Sequence, residues 1–94
     1  MKPIRLTEHS DGKLYSGIIR VIVKKEYGQS EISLDTFSVK GLEQAILDKA
    51  RSLKANAYEP LKADLENWSG KYLGKFRFYE IDKSALIRKG LELY

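Results

Sequence analysis

The chain has 94 residues, which fits one domain over residues 1–94 with a single hydrophobic core. Its composition is 43% hydrophobic, 11% aromatic and 32% charged, which excludes the polar, aromatic-poor range of disordered chains. The lack of cysteine excludes disulfides, thiolate zinc sites and a cysteine nucleophile, and is typical of a reducing compartment. The net charge of +4 mildly favours acidic partners, either nucleic acid or an acidic protein surface.

The N-terminus and the hydropathy of the chain bear on its location. Residues 1–5 lack the apolar region of a signal peptide. No apolar run approaches the ~18 residues that a membrane-spanning helix needs. We therefore expect a cytoplasmic protein without a membrane partner.

The first third of the chain predicts three strands. Residues 3–7 form the first, and Ser10-Asp11-Gly12 provides a hairpin turn after it. Residues 13–25 are rich in β-branched side chains and apolar on both faces, which predicts a central strand. A turn is expected over residues 26–29, and the polar–apolar alternation over residues 31–35 predicts a half-buried third strand.

The rest of the chain predicts three helices and one strand. Ser38 is a predicted N-cap for a helix over residues 39–54, whose apolar residues recur at three- and four-residue steps. Residues 59–68 predict a second helix, because Pro60 suits a first helical turn. Residues 72–81 predict an aromatic-rich strand, and Asp82 is expected to cap a terminal helix.

The predicted element order is β-β-β-α-α-β-α, without a repeat or a linker that would divide it. Short turns favour an α+β fold with a mainly antiparallel four-stranded sheet and helices packed on one face. The apolar pattern also gives the expected core contributors, which are Ile18, Ile22, Ile32, Leu34, Leu42, Ile46, Leu65, Trp68, Phe76 and Phe78.

The sequence carries no recognisable catalytic or metal-binding motif. His9 is the only histidine, and although Glu8 and Asp11 share its turn, a solvated hairpin loop explains all three. One further set of side chains is the best candidate for holding a divalent ion, but its spacing matches no nuclease motif. That set consists of Asp35, Glu80, Asp82 and Lys83. We therefore expect no enzymatic activity, no metal and no cofactor.

The strand over residues 72–79 interleaves basic and aromatic side chains, as single-strand nucleic-acid binders do. The competing interpretation is that Phe76 and Phe78 pack in the core. Alternation along the strand then places Lys75, Arg77 and Tyr79 on the opposite face.

One stretch of the chain is similar to a known module. It contains Gly12-Lys13-Leu14-Tyr15, then Ile18-Ile19-Arg20-Val21, and then Leu34-Asp35-Thr36-Phe37-Ser38 leading into the helix. Over residues 13–54 it resembles the three-strand-plus-helix DNA-binding module of AP2 domains and of the N-terminal arms of phage-type integrases. The tryptophan common in the middle strand of that family is missing here.

The resemblance implies that an exposed sheet face enters the major groove of DNA. Arg5, Arg20 and Lys24 would then contact phosphate. Glu31 and Asp35 are expected on the same face, where they would repel phosphate.

Three classes of function follow from the sequence. The first is a small regulatory protein, such as a phage- or mobile-element-type inhibitor or adaptor, that binds another protein through a sheet edge or a mixed polar-aromatic face. The second is a nucleic-acid-binding module, and the third, an enzyme, has no positive support. Edge strands would also allow a homo-oligomer. The candidate partner-binding residues are Arg5, Arg20, Lys24, Glu31, Asp35, Lys75, Arg77 and Tyr79.

Overall fold

A computed structural model describes residues 2–66 and 71–83. Within these ranges the chain forms seven strands and one helix. The strands are β1 (Ile4–Arg5), β2 (Thr7–Glu8), β3 (Leu14–Ser16), β4 (Ile19–Arg20), β5 (Val23–Leu34), β6 (Ala57–Glu66) and β7 (Lys71–Ile81), and the helix is α1 (Val39–Leu53). No helix in the described ranges combines the length and the apolar character needed to cross a membrane.

The larger of two sheets has the strand order β1-β6-β7-β5. β7 is antiparallel to both of its neighbours, whereas the short β1 runs parallel to β6, so this sheet is mixed. The second sheet has the order β2-β3-β4 and is antiparallel. The predicted α+β class and a sheet of four strands are therefore confirmed, but the described residues contain one helix where several were expected. The single central strand predicted over residues 13–25 is wrong, because these residues form β3, β4 and the start of β5, which belong to two sheets.

Helix α1 matches its prediction closely. The hydroxyl of Ser38 accepts a hydrogen bond from the Gly41 N–H at 3.0 Å, which satisfies one of the donors that a helix N-terminus leaves unpaired. At the other end Lys54 adopts a left-handed conformation with φ of 62°, and its N–H bonds to the carbonyl of Ala50. These two local caps fix the helix over Val39–Leu53.

The predicted helix over residues 59–68 is wrong where the structure describes it, because Ala57–Glu66 is strand β6. The reason lies in pairing with β7, which continues along the whole of β6. Pro60 is tolerated there because β6 is only partly covered on its outer side. Tertiary pairing thus overrides the helical preference of this segment.

Pro60 also limits the pairing of β1. The Ile4 and Leu6 N–H groups donate to the carbonyls of Asn56 and Tyr58 at 2.9 and 2.7 Å. In a parallel ladder alternate residues present their backbone groups to the same edge, so the next donor would be residue 60. Proline has no N–H, and β1 therefore covers only the first residues of β6.

The predicted turn over residues 26–29 is also wrong. β5 continues through it as a strand of 12 residues, with a register shift between Glu26 and Gln29 where it pairs with β7. Gly28 has φ of 82°, a conformation that other residues rarely adopt. The glycine therefore marks a bulge in a continuous strand and not a chain reversal.

The core lies on both faces of the larger sheet. On the face that α1 covers, the buried residues are Ile32, Ile46, Ala50, Phe76 and Phe78. On the opposite face they are Leu6, Val21, Ala57, Tyr79 and Ile81. Alternation along β7 produces this division, because successive side chains of a strand point to opposite faces.

Four of the predicted core residues are buried: Ile32, Ile46, Phe76 and Phe78. Leu34 and Leu42 are half-buried. Two assignments are wrong, since Ile18 is 83% exposed and Ile22 is 51% exposed. The side chains of Leu65 and Trp68 lie outside the described residues, as does the predicted terminal helix beyond residue 83.

Candidate binding groove

The residues predicted to bind a partner are spread over both sheets. Arg20 lies in the small sheet opposite Tyr15, whereas Lys24 is in β5 and Arg5 is in β1. Asp35 follows the end of β5, and all four charged side chains are exposed. The structure therefore does not gather them into one patch.

Acidic groups interrupt the basic face of β7. Glu31 is the cross-strand neighbour of Lys75 in the β5–β7 pair, where opposite charges attract. On the other side, Lys75 is the partner of Lys62 in the β6–β7 pair. The positive charge of Lys75 is therefore partly balanced by the carboxylate of Glu31.

Arg77 is flanked by two carboxylates. Its Nε lies 3.1 Å from Oε1 of Glu26, and its Nη1 lies 3.9 Å from Oε1 of Glu59. The Nε atom is buried and has no acceptor in hydrogen-bond geometry, so its attraction to Glu26 is that of an ion pair. Arg77 is thus largely compensated within the protein.

Tyr79 belongs to the interior. Its side chain is 4% exposed, and its hydroxyl donates a hydrogen bond of 2.8 Å to Oε1 of Glu59, which is itself 5% exposed. Burial and the hydrogen bond to Glu59 raise the pKa of Tyr79 to about 12, because both disfavour the phenolate. The ring of Tyr79 is consequently not a surface for stacking bases, and its hydroxyl satisfies a buried carboxylate.

The raised pKa of Tyr79 predicts a loss of stability in alkali. An unfolded tyrosine titrates near pH 10, whereas Tyr79 in the folded protein titrates near 12. The neutral form therefore contributes its full stability below about pH 10, and this contribution is lost as the pH rises through about 12. We expect the denaturant midpoint to fall over this window, and to fall less in Tyr79→Phe.

Tyr15 and Tyr72 also have raised pKa values, the first through its hydrogen bond to Asp11 and the second through burial. Both remain in Tyr79→Phe, so the difference between the two proteins isolates Tyr79. Parallel pH curves for the wild type and the variant would contradict the prediction.

A groove runs between α1 and the outer side of β6. It consists of two adjoining volumes of about 340 and 410 Å³, which share the lining residues Glu43, Ile46 and Tyr58. The groove exists because β1 covers so little of β6. We call it the α1–β6 groove and define it by Arg5, Phe37, Val39, Tyr58, Leu61 and Tyr72.

The α1–β6 groove exposes large apolar side chains. Val39 is 63% exposed, Phe37 is 43% exposed and Leu61 is 37% exposed. The ring of Phe37 packs on that of Tyr72, with 5.0 Å between the ring centroids. Clustered apolar side chains beside a concave surface are typical of interaction sites.

The charges around the groove have a bias. Lys2 and Lys40 line its first volume, Arg5 and Lys62 line its second, and Glu43 lines both. Among the described lining residues the basic groups therefore outnumber the acidic one. This bias favours an acidic ligand.

A second exposed apolar surface, the hairpin tip, comprises Ile18, Ile22 and Val23. Ile18 occupies the turn between β3 and β4 next to Gly17, whose φ of 66° suits a tight hairpin. Ile22 and Val23 are also exposed, at 51% and 39%. The turn needs the glycine but not the isoleucine, so exposure of Ile18 has no local structural cause.

Of the groove residues, the sequence prediction included only Arg5. Phe37 and Val39 flank the N-cap Ser38, and an apolar residue just before an N-cap commonly packs against its own helix. Val39, the first residue of the helix, is instead exposed. The apolar residue at this position was the feature of the sequence that could have indicated a binding surface.

The described residues contain no group of three or more histidine, cysteine, aspartate or glutamate side chains that could hold a metal ion. Comparisons of the chain with protein-family models, with curated proteins and with solved structures found no match.

Proposed function

We propose that this protein is a small, non-catalytic module that binds another protein, as an inhibitor or adaptor does. The observation that carries the proposal is the exposure of large apolar side chains in two places, the α1–β6 groove and the hairpin tip. Burying apolar surface contributes about 25 cal/mol per Å², and a protein partner offers the apolar surface that this requires. The phosphate backbone of a nucleic acid offers no such apolar surface.

The ion pairs and the burial of side chains on the predicted basic face also favour a protein partner over a nucleic acid. Arg77 is flanked by Glu26 and Glu59, Lys75 faces Glu31, and Tyr79 is buried. A continuous row of basic and aromatic side chains, which a nucleic acid would need, is therefore interrupted on β7.

The outer edge of β5 favours the interpretation that the partner is a different protein and not a second copy of the chain. It carries four exposed charged side chains, at Lys24, Lys25, Glu26 and Glu31, and two register shifts. Charges and bulges are the features by which natural edge strands avoid pairing with each other. We accordingly expect the isolated protein to be monomeric.

The proposal is tested by capture of the partner from the native host. The tagged protein is incubated with lysate that has or has not been treated with nuclease, beside Phe37→Ser/Val39→Ser and Ile18→Ser variants of unchanged melting temperature. We expect a protein that is retained after nuclease treatment and lost with at least one of the variants. Retention that disappears with nuclease would contradict the proposal.

Nucleic-acid binding is the second candidate function, and one observation favours it. Lys62 and Lys75 are directly opposite each other across β6 and β7, which places two basic side chains side by side, an arrangement that attracts phosphate. The resemblance of residues 13–54 to the AP2 module stays a prediction. Binding to a fluorescent DNA duplex, measured against salt, should be weak and independent of sequence; tight binding to one sequence, abolished by Arg20→Ala, would favour this candidate.

A further inference from the structure

We infer that the α1–β6 groove binds an acidic segment of the partner that carries bulky apolar anchors. This inference rests on the proposed function, and it adds where the partner docks and what chemistry docks there. Three features of the groove support it: the shape and composition of its floor, the distribution of its charges, and the charges of this chain's own exposed surfaces.

The floor of the groove favours apolar anchors. Phe37 and Tyr72 form a packed aromatic pair, and Val39 and Leu61 lie beside it with much of their surface exposed. Side chains such as leucine, phenylalanine or tryptophan would bury this surface. The larger volume, about 410 Å³, has room for more than one such anchor.

Basic groups line both volumes of the groove. Lys2 and Lys40 line the first volume, and Arg5 lines the second. A segment that carries carboxylates on both sides of its anchors would be complementary to this distribution. Lysine or arginine at the same positions of a ligand would be repelled.

The described part of a second copy of this chain does not fit the groove. Among the described residues the other exposed apolar surface, the hairpin tip, lies in a segment with Arg20, Lys24 and Lys25 and no acidic residue between residues 18 and 25. Placing that basic tip in a basic groove would bring like charges together. The observations therefore favour a different protein as the occupant.

The experiment uses a library of displayed random peptides selected on the full chain. We expect enriched peptides that combine aspartate or glutamate with leucine, phenylalanine or tryptophan. Synthetic versions of the enriched peptides, with a fluorescent label, then give a Kd by anisotropy. Replacing their carboxylates by amides should weaken binding about tenfold, which corresponds to about 1.4 kcal/mol.

Variants of the protein locate the peptide. Val39→Ser and Lys40→Glu should each weaken binding by about tenfold or more, because one removes apolar contact and the other reverses a rim charge. Lys71→Glu changes the net charge by the same amount as Lys40→Glu but lies on β7 outside the groove, and it should leave the Kd within about twofold. Melting curves show that each variant is folded.

Several outcomes would overturn the inference. One is enrichment of basic or uncharged peptides, and another is binding that Val39→Ser and Lys40→Glu leave unchanged. Loss of peptide binding in Ile18→Ser alone would move the site to the hairpin tip, in which case the protein-binding function stands and the groove assignment fails. Failure to enrich any peptide over a selection on Val39→Ser/Lys40→Glu also rejects the groove, while the lysate experiment decides the function separately.

Discussion

Phe78→Ala is expected to lower the free energy of unfolding by about 3–5 kcal/mol, the usual cost of deleting a buried aromatic ring. Phe78 has no exposed surface and lies in the core cluster beneath α1, with its ring 6.4 Å from that of Tyr58. Domains of this size are stable by only about 5–15 kcal/mol, so this loss is a large fraction of the total stability. Removing the ring leaves a cavity that β7, held on both sides, cannot close.

Denaturant melts of Phe78→Ala and Phe37→Ala make a matched comparison. Both variants replace phenylalanine by alanine, but Phe37 is 43% exposed, with its ring packed on that of Tyr72. We expect Phe37→Ala to cost about 1 kcal/mol or less. Equal losses in the two variants would mean that the core beneath α1 is not packed as described.

The elements that could be predicted from the sequence are those that local interactions determine. Ser38 caps α1 through a contact only three residues away, and the apolar stripe of the helix repeats within each turn. β7 alternates between two buried faces, so its pattern survives in the sequence. Neither element depends on a distant partner for its recognition.

β6 could not be predicted in the same way. The helical interpretation of residues 59–68 used Pro60 as a local indicator, and that residue type is equally at home on an uncovered strand edge. The choice between helix and strand is decided by pairing with β7, in which Pro60 lies opposite Phe76, 16 residues further along the chain. That pairing cannot be read from a single sequence.

The exposure of Ile18 and Ile22 has a related cause. The β-branched run from residue 13 to residue 25 predicted one central strand, but Gly17 reverses the chain within it, and β4 and β5 belong to different sheets. A strand buried on both faces and a hairpin with an apolar tip have similar compositions. Only the pairing distinguishes them.

The candidate site depends even more on long-range structure. Phe37, Leu61 and Tyr72 come from three separate segments of the chain. They share a groove only because the pairing of β1 with β6 ends before Pro60. The compensation of Arg77 likewise depends on the β6–β7 register, which places it opposite Glu59. The sequence could supply the residue types on β7 but not the partners that alter their chemistry.

Glu59→Ala is expected to lower the free energy of unfolding by about 2–3 kcal/mol. The substitution leaves the buried hydroxyl of Tyr79 without its acceptor and removes one of the two carboxylates around Arg77. Breaking a fully buried ion pair costs about 3–5 kcal/mol, but Arg77 is 28% exposed and keeps Glu26, so the smaller figure applies.

Two further variants separate the charge of Glu59 from its hydrogen bond. Glu59→Gln keeps an oxygen acceptor for Tyr79 and should cost about 1 kcal/mol, whereas Glu26→Gln, at the exposed partner of Arg77, should cost less than about 1 kcal/mol. If the hydroxyl and the carboxylate act together, Glu59→Ala combined with Tyr79→Phe will destabilise less than the sum of the two single variants. Additive losses in denaturant melts would show that the 2.8 Å contact contributes no coupling, and the buried charge of Glu59 would then depend on Arg77 alone for its stabilisation.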